Sequence, residues 1–473
     1  AKAKAEAEAK AKAEAEAKAK AEAEAKAKVA AQSADHALAA PVGTDQKKRG
    51  LLKRLTGIFH KNKAVAPEQS ASGPGNEEKK EAPGSPSPKP HLSFREQLAE
   101  KFKKERPLGE ALTKGKFHYG IRFRFEDLNN GIEQDNSVIT LRSFLGYTSR
   151  TYRNFSLSGE IEDIREVGGV VPGVTRAATG FDSVGNDPDS TELNKAFLKY
   201  EGLDKTQLYL GRQGVVLGDG RFVSNEPWRQ NERTYDAFRI TSQRWGGVTL
   251  EYLYINGINT TLGGNLVARD HVFHALYPNE ILGDFEGTIL LLNNEEATAS
   301  DQTFALQWRG NTSLWLFGDN ADIYLKAKAA VQTTEQFQTN YYHLSGDLAY
   351  RKWLFRGGLE LLGSDTGQNG FEMPLGENHA FNGWNDVFSV TPDDGLINAW
   401  VGGQTEWLGL TAGGDYHQFA SDFNRRRYGR EIDLVLFKAF DEKNKIGIKM
   451  GSYHALNFSS DLSKFWFWFS FRN

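Results

Sequence analysis

Eight arginines carry the most distinctive chemistry in the chain: Arg122, Arg124, Arg142, Arg212, Arg221, Arg229, Arg233 and Arg356. A guanidinium is planar, permanently charged, and presents its donors in a fork that fits a carboxylate or phosphate through two bonds at once. Set around a water-filled passage, such groups attract anions and exclude cations. A single arginine of this kind more often pairs with a carboxylate across from it and stiffens a wall. Taken as a cluster, the eight favour the lining of a pore.

Other chemistry is sparse. The chain has no cysteine, which removes disulfides, thiol nucleophiles, CxxC pairs and cysteine metal sites together. No HExxH, P-loop or GxSxG occurs. His271 and His274 are three apart in an apparent strand and so point to opposite faces; His379, ahead of Trp384, is expected to hydrogen-bond locally. Neither a metal, a cofactor, a nucleic acid nor an enzymatic activity is expected. A surface hydrolase built from a Ser/His/carboxylate set is an alternative that no motif supports.

The elements that position the arginines are strands. In FHYGIRFRFED, Tyr119, Ile121, Phe123 and Phe125 alternate with Gly120, Arg122, Arg124 and Glu126, so one face is apolar and the other charged. The same period recurs in Phe155–Glu162 and in Ile323–Ala329. It returns where Phe355, Gly357, Leu359 and Leu361 oppose Arg356 and Glu360. Ile432, Leu434 and Leu436 are likewise set against Glu431, Asp433 and Lys438. Such alternation suits a soluble sandwich or a membrane barrel. The last strand decides for the barrel: Phe465, Phe467, Phe469 and Phe471 share one face, an aromatic area suited to lipid. No stretch approaches the roughly 20 apolar residues of a spanning helix; the longest aliphatic run is Ile289 to Leu292. At about 20 residues per strand and turn, residues 116–473 make about 18 strands, with 16 as the alternative. The fold expected is an all-β, transmembrane, antiparallel up-and-down barrel. The stretch 211–236 is too rich in glycine and charge to be one strand and should fold into the lumen or cap its mouth. There Arg221, Arg229 and Arg233 would face Glu226, Glu232 and Asp236.

Residues before 116 read differently. Residues 1–28 repeat Ala-Lys-Ala-Lys-Ala-Glu-Ala-Glu, with opposite charges four apart, which supports a solvated helix; the same text also has a strand's period, and an inert spacer or tag is as good a reading. Residues 29–92 form a basic and Pro/Ser/Gly-rich linker, whose segment 47–63 could lie on an anionic lipid surface. Residues 93–115 hold a short amphipathic helix, signalled over 93–106 by the Ser93/Glu96 capping box and by Phe94, Leu98 and Phe102 before Pro107. The chain begins without Met or an apolar leader, as after removal of a signal peptide or addition of a tag. Residues 1–115 carry 24 basic and 16 acidic residues, and residues 116–473 carry 34 and 45, so a net charge of −3 hides +8 and −11. Acidic stretches 182–192 and 293–301 are expected in external loops, leaving the constriction locally basic.

The succession of short blocks resembles the alginate-export family of Gram-negative outer-membrane barrels. They run from Leu112-x-x-Gly115-Lys116 and Arg122-Phe123-Arg124-Phe125-Glu126 through Leu141-Arg142, Asp187-Pro188, Glu192 to Leu198, Gly211-Arg212-Gln213, Asp219 to Val223, Trp228 to Glu232 and Thr234-Tyr235-Asp236. Further blocks are His379 to Asp386, Pro392 to Leu396, Tyr416 to Phe419, Tyr428 to Asp433 and Lys464-Phe465-Trp466. The resemblance covers about 108–473. It implies an outer-membrane porin or exporter in contact with lipid, passing anionic oligo- or polysaccharides or small anions passively, with no enzymatic activity. The N-terminal arm would then be periplasmic and free to meet a periplasmic partner through residues 1–115. A non-selective or structural barrel that anchors this arm is the alternative.

Overall fold

The computed structural model describes residues 107–129, 136–170, 187–293, 301–313 and 321–473. The readings of 1–28, 29–92 and the helix at 93–106 lie outside them. The first described element is a helix, α1 (Leu108–Thr113), directly after Pro107. Proline's fixed φ and missing N–H suit the entrance to a helix.

Eighteen antiparallel strands follow. They are β1 (Lys116–Asn129), β2 (Asn136–Thr148), β3 (Phe155–Val170), β4 (Ser190–Leu203), β5 (Thr206–Gln213) and β6 (Thr234–Trp245). Next come β7 (Val248–Asn259), β8 (Asn265–Tyr277), β9 (Asp284–Leu292), β10 (Asp301–Ser313), β11 (Ala321–Thr333) and β12 (Gln338–Tyr350). The last six are β13 (Trp353–Leu362), β14 (Leu396–Trp407), β15 (Leu410–Ala420), β16 (Arg427–Ala439), β17 (Lys445–Ala455) and β18 (Leu462–Arg472). Every strand pairs with its sequence neighbour, and β1 pairs with β18 from Gly120↔Arg472 to Asn129↔Ser463. The sheet is a closed barrel with no free edge.

The outer face of the strands is largely apolar. Along β1 the side chains of Arg124, Glu126 and Leu128 are buried inside, while Tyr119 and Ile121 are exposed. On β18, Lys464, Trp466 and Trp468 are buried inside and Phe465 and Phe471 are exposed. Across the seam the outer rings meet as Phe123–Phe467 at 6.2 Å and Phe125–Phe465 at 6.4 Å between centroids. Asn473 extends the seam through its side chain and its backbone: Tyr119 N donates to Asn473 Oδ1 at 2.8 Å, and Asn473 N donates to Tyr119 O at 3.1 Å. On β16, Glu431 and Asp433 are buried inside, whereas Ile432 and Leu434 are exposed. Lys438 departs from the expectation: strand parity puts it with Ile432 and Leu434 on the outer face, at the strand's end, where its ammonium lies 5.5 Å from the Phe440 ring.

The connections divide by end. On the side of the termini are the tight turns Asp204-Lys205, Gly246-Gly247, Arg351-Lys352 and Leu408-Gly409. Their positive φ angles include 47° at Lys205 and 81° at Gly247, the backbone twist that matches paired strands. On the opposite side lie the long connections 214–233 and 363–395. A lipid-facing outer wall makes a definite demand on β16: Leu434→Arg, mid-strand and outward, should destabilise the folded barrel by about 2–4 kcal/mol, while Lys438→Arg at the strand end should change it little. Equilibrium folding into lipid vesicles across a denaturant series measures both.

Candidate functional site

The two long connections fold inward and meet across the lumen. The first, 214–233, is held to β1 by the arginines of that strand. Arg122 Nε donates to Gln230 Oε1 at 2.8 Å, its Nη1 to Pro227 O at 2.7 Å, and its Nη2 to Arg229 O. Arg124, buried at 1% exposure, donates to Trp228 O at 3.0 Å and to Asp187 Oδ2. Farther along the loop, Asp219 bridges Lys326 at 3.0 Å and Lys328 at 2.6 Å on β11. Arg221 reaches the far wall, where its Nε donates to Glu360 Oε1 on β13 at 2.8 Å. The second loop joins the first through Ser224 N to Leu375 O at 2.8 Å, Glu377 N to Gly220 O at 3.1 Å, and Arg221 Nη1 to Glu377 O at 2.6 Å.

The expected arginines therefore fall into distinct places. Arg122, Arg124 and Arg229 gather around Asp187 and the backbone of the first loop. Arg142 pairs on the inner face with Glu162 and, at 3.3 Å, with Glu232. Arg233 pairs with Glu226 inside the first loop, a partnership within the expected set. Arg356 forks onto Asp415 with contacts of 2.7 and 2.5 Å. Arg212 does not join them. It alternates with Leu210, which is 59% exposed, and so lies on the outer face, where it forks onto Asp236 at 2.8 and 2.9 Å. Glu232, expected opposite a loop arginine, is taken by Arg142 and by Lys195 at 2.7 Å. Asp187, expected in an acidic external loop, lies buried in the lumen; 182–186 and 294–300 are outside the described residues.

Burial alone would raise the Asp187 carboxyl, but the guanidiniums of Arg124, Arg229 and Arg122 and the Gln230 N–H hold it below its ordinary value. Asp219 is held well below for the same reason: burial is outweighed by Lys328 and Lys326. Glu160, Glu162 and Glu232 approach within 4.8 Å of one another, as metal ligands do. Arg142 and Lys195 already occupy that space as counter-charges, so the trio does not suit a cation.

One node was not foreseen. Lys449, on β17 and 1% exposed, sits among three tryptophans: 4.0 Å from the Trp228 ring, 4.4 Å from Trp384 and 4.9 Å from Trp466. Trp228 comes from the first loop, Trp384 from the second and Trp466 from the wall. Lys449 Nζ also donates to His379 Nε2, and His379 Nδ1 donates to Asp386 Oδ1 at 2.6 Å, the local bond expected for this histidine. That pair of bonds fixes the imidazole as the neutral Nδ1–H tautomer. Burial pushes its pKa well below the ordinary value, and Lys449 and Lys464 add to the effect. Strand parity could have shown Trp466 and Trp468 facing inward; nothing local announces that Lys449 meets both loops.

On the termini side of these loops a cavity of about 380 Å³ remains open, lined by His118, Glu160, Lys195, Tyr209, Arg239 and Arg472. Arg239 pairs with Glu251 and Lys195 with Glu160, while the exposed Arg472 guanidinium lies 5.3 Å from the Phe144 ring. None of these five basic or aromatic groups stood among the eight arginines.

The His379 contact sets a pH dependence. A histidine whose pKa is depressed in the pinned state stabilises that state above about pH 6.5, and the stabilisation falls as pH drops below that value, because the released imidazole takes a proton the pinned one refuses. Single-barrel recordings in planar bilayers should show the loops released more often from pH 7 to pH 5. Lys449→Met should raise the opening frequency at pH 7 and flatten the pH response.

Residues 116–252 match the family model described as alginate export. No curated protein matches the chain in sequence. Among solved structures, OccAB4 of Acinetobacter baumannii is 13% identical with a TM-score of 0.58, over 77% of this chain and 99% of that one. OccK9 (OpdG) of Pseudomonas aeruginosa is 13% identical with a TM-score of 0.58, over 76% and 99%. OpdK of the same organism, solved with vanillate, is 13% identical with a TM-score of 0.57, over 76% and 99%. At such identity the likeness is one of fold. Residues 116–252 thus match the alginate-export family model, and they form part of an 18-stranded barrel similar in fold to these outer-membrane structures.

Proposed function

We propose that the protein is a passive outer-membrane channel for anionic solutes, from small acids to saccharide chains, in a Gram-negative envelope. The observation that carries this reading is the closed wall whose inner face is charged and opens, beside the loop constriction, into the cavity lined by Lys195, Arg239 and Arg472. The exposed Arg472 guanidinium there would meet a carboxylate leaving water, with Arg239 and Lys195 beside it, and bidentate contact would favour planar anions over halide. The family match and the porin neighbours, one of them solved with vanillate, agree with a transport role.

Anion preference is assigned to lumen arginines in two tiers. Arg122, Arg142 and Arg356 are only part-buried and can exchange a protein partner for a solute, whereas Arg124, Arg221, Arg229 and Arg233 brace the loops from buried positions. Arg212, on the outer face, is assigned to the lipid headgroup zone. Short turns are the periplasmic feature of such barrels, so the termini and the basic arm 1–115 are assigned to the periplasm, where the arm's +8 would suit an acidic partner. The pinned loops also favour a second reading, a barrel that stays shut and serves to anchor that arm.

Planar-bilayer conductance separates the two. The channel reading expects measurable conductance and a reversal potential of the anion-selective sign in a salt gradient. Arg122→Glu with Arg142→Glu should move that potential toward cation selectivity, and Arg212→Glu should leave it in place. Absence of conductance even after removal of residues 1–115 and with Lys449→Met would leave the anchoring role.

A further inference from the structure

On the outer wall between β6 and β12 lies a hollow of about 1050 Å³, and its outward residues Phe273, Phe304 and Leu306 are exposed. Small residues make room for it. Ala275 faces Gly287 across β8 and β9, and Leu306 continues the same register row to Ala329. A side-chain carbon added at Gly287 would meet only Leu306 Cδ2, at 3.7 Å, so the floor is open there. Tyr252, Phe273, Ile289 and Phe304, one row away, supply the bulk beside it. Because a register row crosses tilted strands, the hollow climbs the wall. Leu250 is two residues from the turn-side end of β7, whereas Tyr342 is four from the opposite end of β12.

Its turn-side mouth is polar. Consecutive residues of a regular strand face opposite ways, yet Arg244 and Trp245 both line the hollow, because the β6–β7 register slips between Ser242 and Trp245. Asp204, in the neighbouring β4–β5 turn, lines it as well. Arg244 and Asp204 are both exposed, they do not pair with each other, and neither side chain has a hydrogen-bond or ionic partner among the described residues. The exposed aromatics Trp245, Tyr277, Trp353 and Trp407 stand at strand ends on this same side and mark the level of lipid headgroups. A cation and an anion thus stand at headgroup height over an apolar hollow that runs into the hydrocarbon.

We propose that this hollow holds a glycerophospholipid with an ethanolamine head, an acyl chain lying over Gly287, its phosphate on Arg244 and its ammonium on Asp204. An acyl chain gains no hydrophobic energy by leaving other acyl chains for an apolar wall. Residence therefore comes from close packing in the hollow and from the charged head. The guanidinium fork fits a phosphate, and the carboxylate beside it favours a head of both signs over a purely anionic one. The assignment rests on the membrane setting of the barrel and is independent of whether it conducts.

Native mass spectrometry of the full-length protein in detergent, titrated with palmitoyl-oleoyl phosphatidylethanolamine, should show a saturable one-lipid adduct. Phosphatidylglycerol with the same chains should bind more weakly, and Asp204→Asn should remove that preference. Arg244→Glu should weaken the adduct about tenfold, the measure of one charge-assisted hydrogen bond. Gly287→Leu, which fills the floor, should weaken it as well, with folding checked by heat-modifiable gel migration. Lys438→Glu, an outward cation at the turn-side end of β16, should leave it unchanged. The proposal is overturned by the absence of a saturable adduct, by an adduct that tolerates Arg244→Glu or Gly287→Leu, or by equal weakening in Lys438→Glu. A preference for phosphatidylglycerol would overturn the ethanolamine assignment. A two-barrel mass that Gly287→Leu abolishes, without a lipid adduct, would overturn the lipid in favour of a second copy of this chain.

Discussion

Every strand in this protein depends on one constraint: a backbone N–H or C=O facing hydrocarbon has no water to bond. Each such group left open would cost several kcal/mol, so a sheet can stand in lipid only if its first and last strands find each other. Here β1 and β18 do so over ten registered residues, and Asn473 carries the pairing one step beyond the strand. Closure in turn fixes parity. Once the seam is set, Phe123 and Phe467 must be outside and Arg124 and Trp466 inside.

Closure also creates the interior problem that the charges solve. A lumen walled by strands and crossed by two loops buries many polar groups, and a charge buried without a counter-charge is far costlier than a pair. Much of the barrel's acid among the described residues is used here. Asp187 meets Arg124, Glu360 meets Arg221, Glu226 meets Arg233 and Asp219 meets two lysines. Arginines that look free in the alternating strand text are thereby spent, some of them on loop carbonyls rather than on acids. The positive edges left facing open space belong to other residues, Arg472 above all.

The Lys449 node shows how such a lumen is organised. A desolvated ammonium against an indole face is worth about 2 kcal/mol. Three such faces come from three separate parts of the chain, so no pair of them alone sets the geometry. His379, neutral and tautomerically fixed, converts the lysine's last donor into a tether on the second loop. Both loops are thus pinned to β17 through one side chain, in addition to the ties of the first loop to β1, β11 and β13 and of the loops to each other.

Period-two alternation determined the strand class, the barrel, the count near 18 and the face of nearly every residue, because side-chain direction in a strand is a local consequence of the pleat. Lys438 and Arg212 were misplaced where parity was not followed residue by residue through the strand's end. The inward fold of 214–233 was legible from its glycines and charges. The second luminal loop, the partners of Arg221 and Glu232 and the tryptophan cage of Lys449 were not. Each joins residues tens to hundreds of positions apart, and such partners are chosen by closure of the barrel and the path of the loops across it. Sequence alone states which charges exist; only the tertiary structure decided which of them face a partner and which face the passage.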